Sequence, residues 1–257
     1  MNFKPSAAEG QCRKASTKMA EKVMIGCPIR NRAWILPLYL ESLQALKYPE
    51  AKIEYCFIIN DCSDQTPLIL EHFAEQKAAG VKLITINYGS EKGYRRGMYD
   101  FSRLAALRNH LLNAFLQSDC EYLFSLDSDI LAPPDTLTRL IEDNCDIVSA
   151  LVCNGHELND QSIYNILRRN HEGKLVHWRD FPRDRIFPVD CTGAAYLIKR
   201  AVIASCGVRY SSEQGAEDIG FCSAAAQKGL GIYGDGRLEC VHMMHEKIIN
   251  SDFPVDR

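Results

Sequence analysis

Short apolar runs alternate with amphipathic stretches of ten or more residues from position 22 to 152, and no other feature of the chain restricts its fold as much. The runs at 22–27, 53–59, 81–87, 122–126 and 146–152 read as strands, the first stopped by Pro28. Between them, 36–46, 66–79, 102–117 and 133–143 read as helices. The helix over 66–79 stops at Gly80, and Leu104, Leu107, Leu111, Leu112 and Phe115 recur at helical spacing in the third stretch. Strands alternating with helices of this length predict right-handed crossovers and a Rossmann-like, mainly parallel central sheet with helices on both faces of a single α/β domain. Ligands of such sheets bind outside the carboxyl ends of the strands. Pro28, Asp61, Gly89 and Asp127 all follow strand ends, so one rim collects four polar loops.

After 152 the pattern loosens. Residues 154–188 are irregular and hold Trp178 and the charged run 179–185; a long irregular insertion in a compact domain is usually a functional loop or a disordered segment. A strand at 193–198, a short helix ending near Cys206, a helix over 217–228 closed by Gly229 and a last strand over 238–244 complete the expectation. The chain then divides into a flexible tail over 1–21, a donor-binding half over 22–153 and an acceptor-binding and catalytic half over 154–257 of the same domain.

Composition excludes several classes. With 257 residues, 46% of them apolar and 25% charged, the chain builds a real core, and no apolar stretch approaches the ~20 residues of a transmembrane helix. A net charge of −3 gives no general attraction to nucleic acid or anionic lipid. Eleven cysteines, an odd number without a C-x-x-C pair, read as reduced and mostly buried thiols of a cytoplasmic protein, with contact to a membrane surface left open. The polar segment 1–22 lacks the apolar core of a signal peptide.

The fourth strand, Tyr122-Leu123-Phe124-Ser125-Leu126, empties directly into Asp127-Ser128-Asp129. In an extended chain alternate side chains share a face, so Asp127 and Asp129 point to one side and Ser128 away. Two hard oxygen donors suit Mn²⁺ or Mg²⁺, ions that fill their remaining positions with water and ligand phosphates. The pattern points to a phosphorylated ligand. Gly89, Gly93 and Gly97 do not form the Gly-x-Gly-x-x-Gly of dinucleotide sites, and no Walker sequence is present.

With these segments in place, the sequence resembles the family 2 nucleotide-sugar glycosyltransferases of the GT-A fold. Pro28 with Arg30-Asn31-Arg32 is similar to that family's opening strand and polar Asn-Arg turn. Asn60-Asp61-Cys62-Ser63-Asp64 resembles the Asp-Asp-Gly-Ser-x-Asp turn that holds the nucleobase, with Asn60 and Cys62 departing from it. Arg108-Asn109 resembles an Ala-Arg-Asn segment, with Leu107 in place of alanine. Asp127-Ser128-Asp129 followed by Pro133-Pro134 resembles the metal-binding Asp-x-Asp and its helix, and Glu217-Asp218 the Glu-Asp motif.

The resemblance implies a metal-dependent, inverting glycosyltransferase that uses a UDP- or GDP-type sugar donor and a glycan, lipid-linked or small-molecule acceptor. Pro28, Arg30, Asp61, Arg108, Asp127 and Ser128 would bind the nucleotide sugar, with Arg95 and Arg96 as further phosphate contacts. Asp129 would be the principal metal ligand and Asp127 the second ligand or a ribose partner. A histidine near the last strand would join the metal: His242 rather than His245, since the two fall on opposite faces of an extended segment. Asp218 would be the general base, with Glu217 as its alternative. Trp178 is either an acceptor platform or a packed loop residue. Two other readings remain. A sugar-nucleotide-forming nucleotidyltransferase would need a Gly-rich, Arg-containing loop after the first strand, which Gly26-Cys27-Pro28-Ile29-Arg30 lacks, and a non-catalytic nucleotide-sugar binding domain would not hydrolyse donor.

Overall fold

The computed structural model describes residues 20–77, 80–89, 100–155 and 160–244. In chain order the elements are β1 (Val23–Ile29), α1 (Leu36–Gln44), β2 (Ile53–Asn60), α2 (Thr66–Gln76), β3 (Val81–Ile86), α3 (Phe101–Leu116), β4 (Tyr122–Leu126), β5 (Ile130–Leu131) and α4 (Thr136–Glu142). There follow β6 (Ile147–Val152), β7 (Leu167–Arg169), β8 (Leu175–His177), β9 (Ile186–Pro188), β10 (Ala195–Lys199), α5 (Arg200–Ala204), α6 (Glu217–Gln227) and β11 (Ile232–His242). The tail expected over 1–21 lies outside the described residues up to position 19.

The first half folds as its periodicity predicts. β1 is buried on both faces, as strands of a covered parallel sheet are. Val23 and Ile25 pack under α1 and α4, while Met24 faces α3 and α6. The helices begin where local chemistry allows. α1 and α2 carry proline in their first turn, where the missing N–H costs nothing, and the Asp100 carboxylate accepts the Arg103 N–H to cap α3.

The sheet runs β3-β2-β1-β4-β10-β6-β11-β5, with β9 also on β11. β3, β2, β1 and β4 are mutually parallel, and β6 is parallel to β11. β10 lies between β4 and β6 and runs against both. Its first residues therefore meet the carboxyl ends of its neighbours, which brings the preceding turn, Thr192-Gly193-Ala194, onto the rim. Two sequence expectations change. β11 starts at Ile232 rather than 238 and contains a bulge between Asp235 and Glu239, and the insertion over 154–188 holds the short β7–β8 hairpin and β9 instead of irregular chain.

The bulge is tied to α4 by charge. Arg237 donates through Nε and Nη2 to both oxygens of buried Asp235, at 2.8 and 2.9 Å, and through Nη2 to Asp143 Oδ1 at 2.7 Å. Burial, then the neighbouring Asp235 charge, push Asp143 up to about 7 against the pull of Arg237. A carboxyl raised in the fold binds its proton more tightly folded than unfolded, so stability falls as pH rises from about 4 to about 7. Asp143→Asn removes that loss. Its melting temperature should exceed wild type by a few degrees at pH 7.5, at about 2–4 °C per kcal/mol, and match it near pH 4.5. Equal melting temperatures at pH 7.5 would contradict the raised Asp143 carboxyl.

Candidate active site

A cleft of about 710 Å³ opens on the rim where β1, β4 and β11 end and α3 and α6 begin. Pro28, Arg30, Arg108, Asp127, Ser128, Asp129, Glu217, Asp218 and His242 all line it. Asp61 does not. Its left-handed backbone turns the carboxylate toward the chain leaving β3, where it accepts the N–H groups of Tyr88 and Gly89 at 3.2 and 3.1 Å, and Asn60 lines the cleft in its place. Gly93, Gly97, Arg95, Arg96 and His245 lie outside the described residues.

Beyond β4 the chain turns rather than running on extended: the Asp127 N–H donates to Ala194 O at 2.8 Å and Ile130 N–H to Asp127 O at 2.9 Å. Both aspartates still face the cleft, each with its own arginine. Arg108 Nη2 donates to Asp127 Oδ1 at 2.9 Å, and Arg32 Nη2 to Asp129 Oδ2 at 3.0 Å. Burial raises the Asp127 carboxyl, opposed by Arg108 and reinforced by Asp129.

Asp129 Oδ1 stands 3.9 Å from His242 Nε2. The other ring nitrogen, Nδ1, lies 3.3 Å from Cys153 O, an atom that can only accept, so Nδ1 carries a proton and a neutral His242 presents the Nε2 lone pair on the side of Asp129. A carboxylate oxygen and an imidazole nitrogen form a donor set that fits Mn²⁺ and leaves positions for water and phosphate. The tightest trio of possible ligands among the described residues is elsewhere: Glu54, Asp119 and Cys120, none lining the cleft, with Lys22 paired to both acids.

Glu217 and Asp218 open α6 in different surroundings. The Glu217 side chain is 4% exposed and accepts Arg108 Nε at 3.0 Å, whereas that of Asp218 is 24% exposed and accepts the Tyr196 hydroxyl at 3.0 Å. Of this pair, Asp218 offers the cleft the reachable carboxylate. Burial lifts it to about 7; Arg108 opposes, the Glu217 and Asp127 charges add to the rise, and Tyr196 opposes again. A carboxyl poised near neutrality suits proton transfer.

Arg108, expected on donor phosphates, is buried. It donates to Glu217, to Ser125 Oγ at 3.3 Å and to Asp127, and so joins α3, β4 and α6 at the cleft wall. Trp178 packs edge-on against Phe187 and Phe181 with the Arg168 guanidinium 4.2 Å above it, away from the cleft, and the tryptophan on the cleft wall is Trp34. Arg32, Tyr196 and Tyr210 are the site's unforeseen members. Arg32 stands in the basic turn singled out from sequence, and Tyr196 is a phenol between the apolar residues Ala195 and Leu197 of β10.

The model of the Anp1 family matches residues 7–172. A glycosyltransferase 25 family member of Anopheles gambiae is 25% identical over 145 residues, covering 53% of this chain and 24% of that protein. The mannan polymerase II complex anp1 subunit of Schizosaccharomyces pombe is 28% identical over 146 residues, covering 50% and 34%. The chain thus spans about a quarter to a third of the length of these curated relatives. Among solved structures, GalNAc-T7 with UDP, GalNAc and Mn²⁺ superposes with a TM-score of 0.63 at 12% identity, over 87% of this chain and 44% of that one. S. aureus TarS 1-349 with UDP-GlcNAc gives 0.58 at 16%, over 90% and 62%. The mannosyltransferase PcManGT of Pyrobaculum calidifontis with GDP-Man and Mn²⁺ gives 0.56 at 17%, over 88% and 58%. The fold is the GT-A fold of these glycosyltransferases.

Proposed function

Because the chain belongs to the Anp1 family, we propose that it is a glycosyltransferase moving a sugar from a nucleoside-diphosphate donor, of UDP or GDP type, to an acceptor hydroxyl, with inversion at the anomeric carbon. The observation that carries this reading is the meeting, in one cleft, of the Asp129–His242 donor pair with a reachable Asp218 carboxyl held near neutrality. Asp129 and His242 would hold Mn²⁺ or Mg²⁺, with Asp127 beside them. Such an ion, when bound, acts as a Lewis acid on the charge that develops on the leaving diphosphate. Pro28, Arg30, Ser128 and Asn60 would shape the donor side of the wall, with Asp61 bracing it from behind. Asp218 takes the proton of the acceptor hydroxyl as that oxygen attacks. A single displacement needs one base and no enzyme nucleophile, which is the support for inversion.

The acceptor, whether glycan, lipid-linked or small molecule, would enter along the Asp218 side. The ten free thiols among the described residues support the cytoplasmic placement expected from sequence, and no helix there is long and apolar enough to cross a membrane. A nucleotidyltransferase finds no support, since β1 leads into Arg30-Asn31-Arg32 and not a Gly-rich loop. A donor-binding subunit without turnover is the second reading, favoured by the relative that is a subunit of a polymerase complex. Hydrolysis of donor separates the two.

A thermal-shift panel of nucleoside diphosphates with and without Mn²⁺ tests the proposal. Ligand at ~100 times its dissociation constant stabilises by ~2.7 kcal/mol, about 5–10 °C for a chain of this size. Asp129→Ala should melt like wild type without ligand and lose the Mn²⁺-dependent part of the shift. If no nucleotide moves the transition, or if Asp129→Ala keeps the full Mn²⁺ effect, the donor site is misplaced.

A further inference from the structure

Behind Asp218 two buried phenols stand in line. Tyr196 and Tyr210 are 0% and 4% exposed, and their hydroxyls are hydrogen-bonded to each other. A phenol in the interior needs a partner, and each brings a single proton. The Asp218 carboxylate can only accept, so the Tyr196 proton goes to Asp218 Oδ1 at 3.0 Å. The Tyr196 oxygen must then accept from Tyr210. The chain of donors has one direction, Tyr210 to Tyr196 to Asp218, and successive bonds of this kind strengthen one another.

Tyr210 belongs to the irregular segment between α5 and α6, where no ladder fixes its backbone. The Asn109 side chain does so instead: Nδ2 donates to Tyr210 O at 2.9 Å and Oδ1 accepts Tyr210 N–H at 3.0 Å. The Tyr210 ring stacks on Phe221 with centroids 4.4 Å apart. On the far side of the carboxylate, a Cβ at Gly193 would come within 2.1 Å of Asp218 Oδ2. One oxygen is thus held by a hydroxyl and the other lies against bare backbone.

We propose that Asn109, Tyr210 and Tyr196 form a hydrogen-bonded relay of positioning residues that aims the Asp218 carboxylate into the cleft and keeps it able to accept a proton; its catalytic meaning rests on the glycosyltransferase reading. The charged and titratable groups facing Asp218 are Arg108 from α3, Glu217 beside it on α6, Asp127 after β4, and the two phenols. Arg108 donates its short bonds to Glu217, Asp127 and Ser125 and stays 4.0 Å from Asp218. Tyr196 is therefore the group that hydrogen-bonds the carboxylate directly. Burial lifts Asp218 to about 7 even with that bond in place; without it the ionised form loses a donor and the proton is held to still higher pH.

The test follows the Asp218 carboxyl itself in full-length protein labelled with ¹³C at aspartate carboxyls, the resonance being assigned by its loss in Asp218→Asn. Tyr196→Phe, which keeps the ring and its packing, should raise the titration midpoint by about one pH unit, the size expected for a hydrogen bond to a charged group. Tyr210→Phe should raise it less, since it removes only the bond that supports the first. Asn109→Ala, which frees the Tyr210 backbone, should behave like Tyr210→Phe. An unchanged midpoint in folded Tyr196→Phe overturns the relay, and if that variant does not fold, an unchanged midpoint in Tyr210→Phe does so. The pH–rate profile of donor hydrolysis then tests the other premise. If the midpoint moves as expected while Asp218→Asn turns over normally, the relay stands and the assignment of the base fails.

Discussion

Asp218→Asn should leave donor affinity near wild type and lower turnover by roughly 10²–10⁴, the range attributed to positioned acid–base groups. Asparagine keeps the volume and can still accept the Tyr196 hydroxyl, but it takes no proton at neutral pH. The alternative role, an anion serving the α6 N-terminus, predicts a stability loss of about 0.3–1 kcal/mol and little change in turnover. Stability distinguishes the two by sign. The Asp218 carboxyl sits at about 7 in the fold, above its unfolded value, so the proton stabilises the native state and that stability is lost as pH rises from about 4 to about 7. Above pH 7 the asparagine variant should therefore melt no lower than wild type. Donor affinity, melting temperature and single-turnover rate on one preparation decide the matter, and near-normal turnover removes Asp218 from the chemistry.

Arg108→Met is expected to be the most destabilising single change at the site. The guanidinium bridges Glu217 and Asp127, and its loss leaves two carboxylates at the cleft wall without their cation. Breaking a buried pair by removing one partner costs about 3–5 kcal/mol, or ~6–20 °C in melting temperature at this chain length. The deficit should depend on pH with a definite sign. Asp127, already raised by burial, loses its opposing cation in the variant and holds its proton still more tightly folded than unfolded, so the variant recovers as pH falls from neutrality toward 4. Urea melts at pH 5 and pH 7.5 measure this; a small loss equal at both values would mean that the bridge contributes little.

What the sequence made legible was local. The strands and helices from 23 to 152 announce themselves because periodicity, proline and glycine act within a few residues of one another. The direction of β10 does not, since an apolar run reads the same both ways. β7, β8 and β9 are three residues each, too short to carry a period, and the start of β11 is hidden because Gly234, Asp235 and Gly236 interrupt its apolar alternation. The site divides along the same line. Asp127 and Asp129 could be found because they are two residues apart at the end of a strand. The Arg108–Glu217 pair spans 109 residues and the Asn109–Tyr210 clamp 101, and no spacing rule reaches that far. Arg108-Asn109 drew notice as a motif, but the partners of the two residues could not be read from it: Arg108 braces the acids at the cleft wall and Asn109 holds a tyrosine.

The reversed strand β10 also sets an order of events at the ribosome. When residue 153 emerges, β4 and β6 exist as sequence but have no neighbour in common, because the strand that joins them is 195–199 and the outer partner of β6 is not finished until 242. The growing chain must hold β6, buried on both faces in the finished sheet, without its place there until β10 is complete at residue 199, a few seconds at ordinary translation rates. Asp127 waits likewise for Ala194, and Arg108 longer, for Glu217. The cleft is thus completed late, and until then the nascent chain is exposed to every apolar surface it meets.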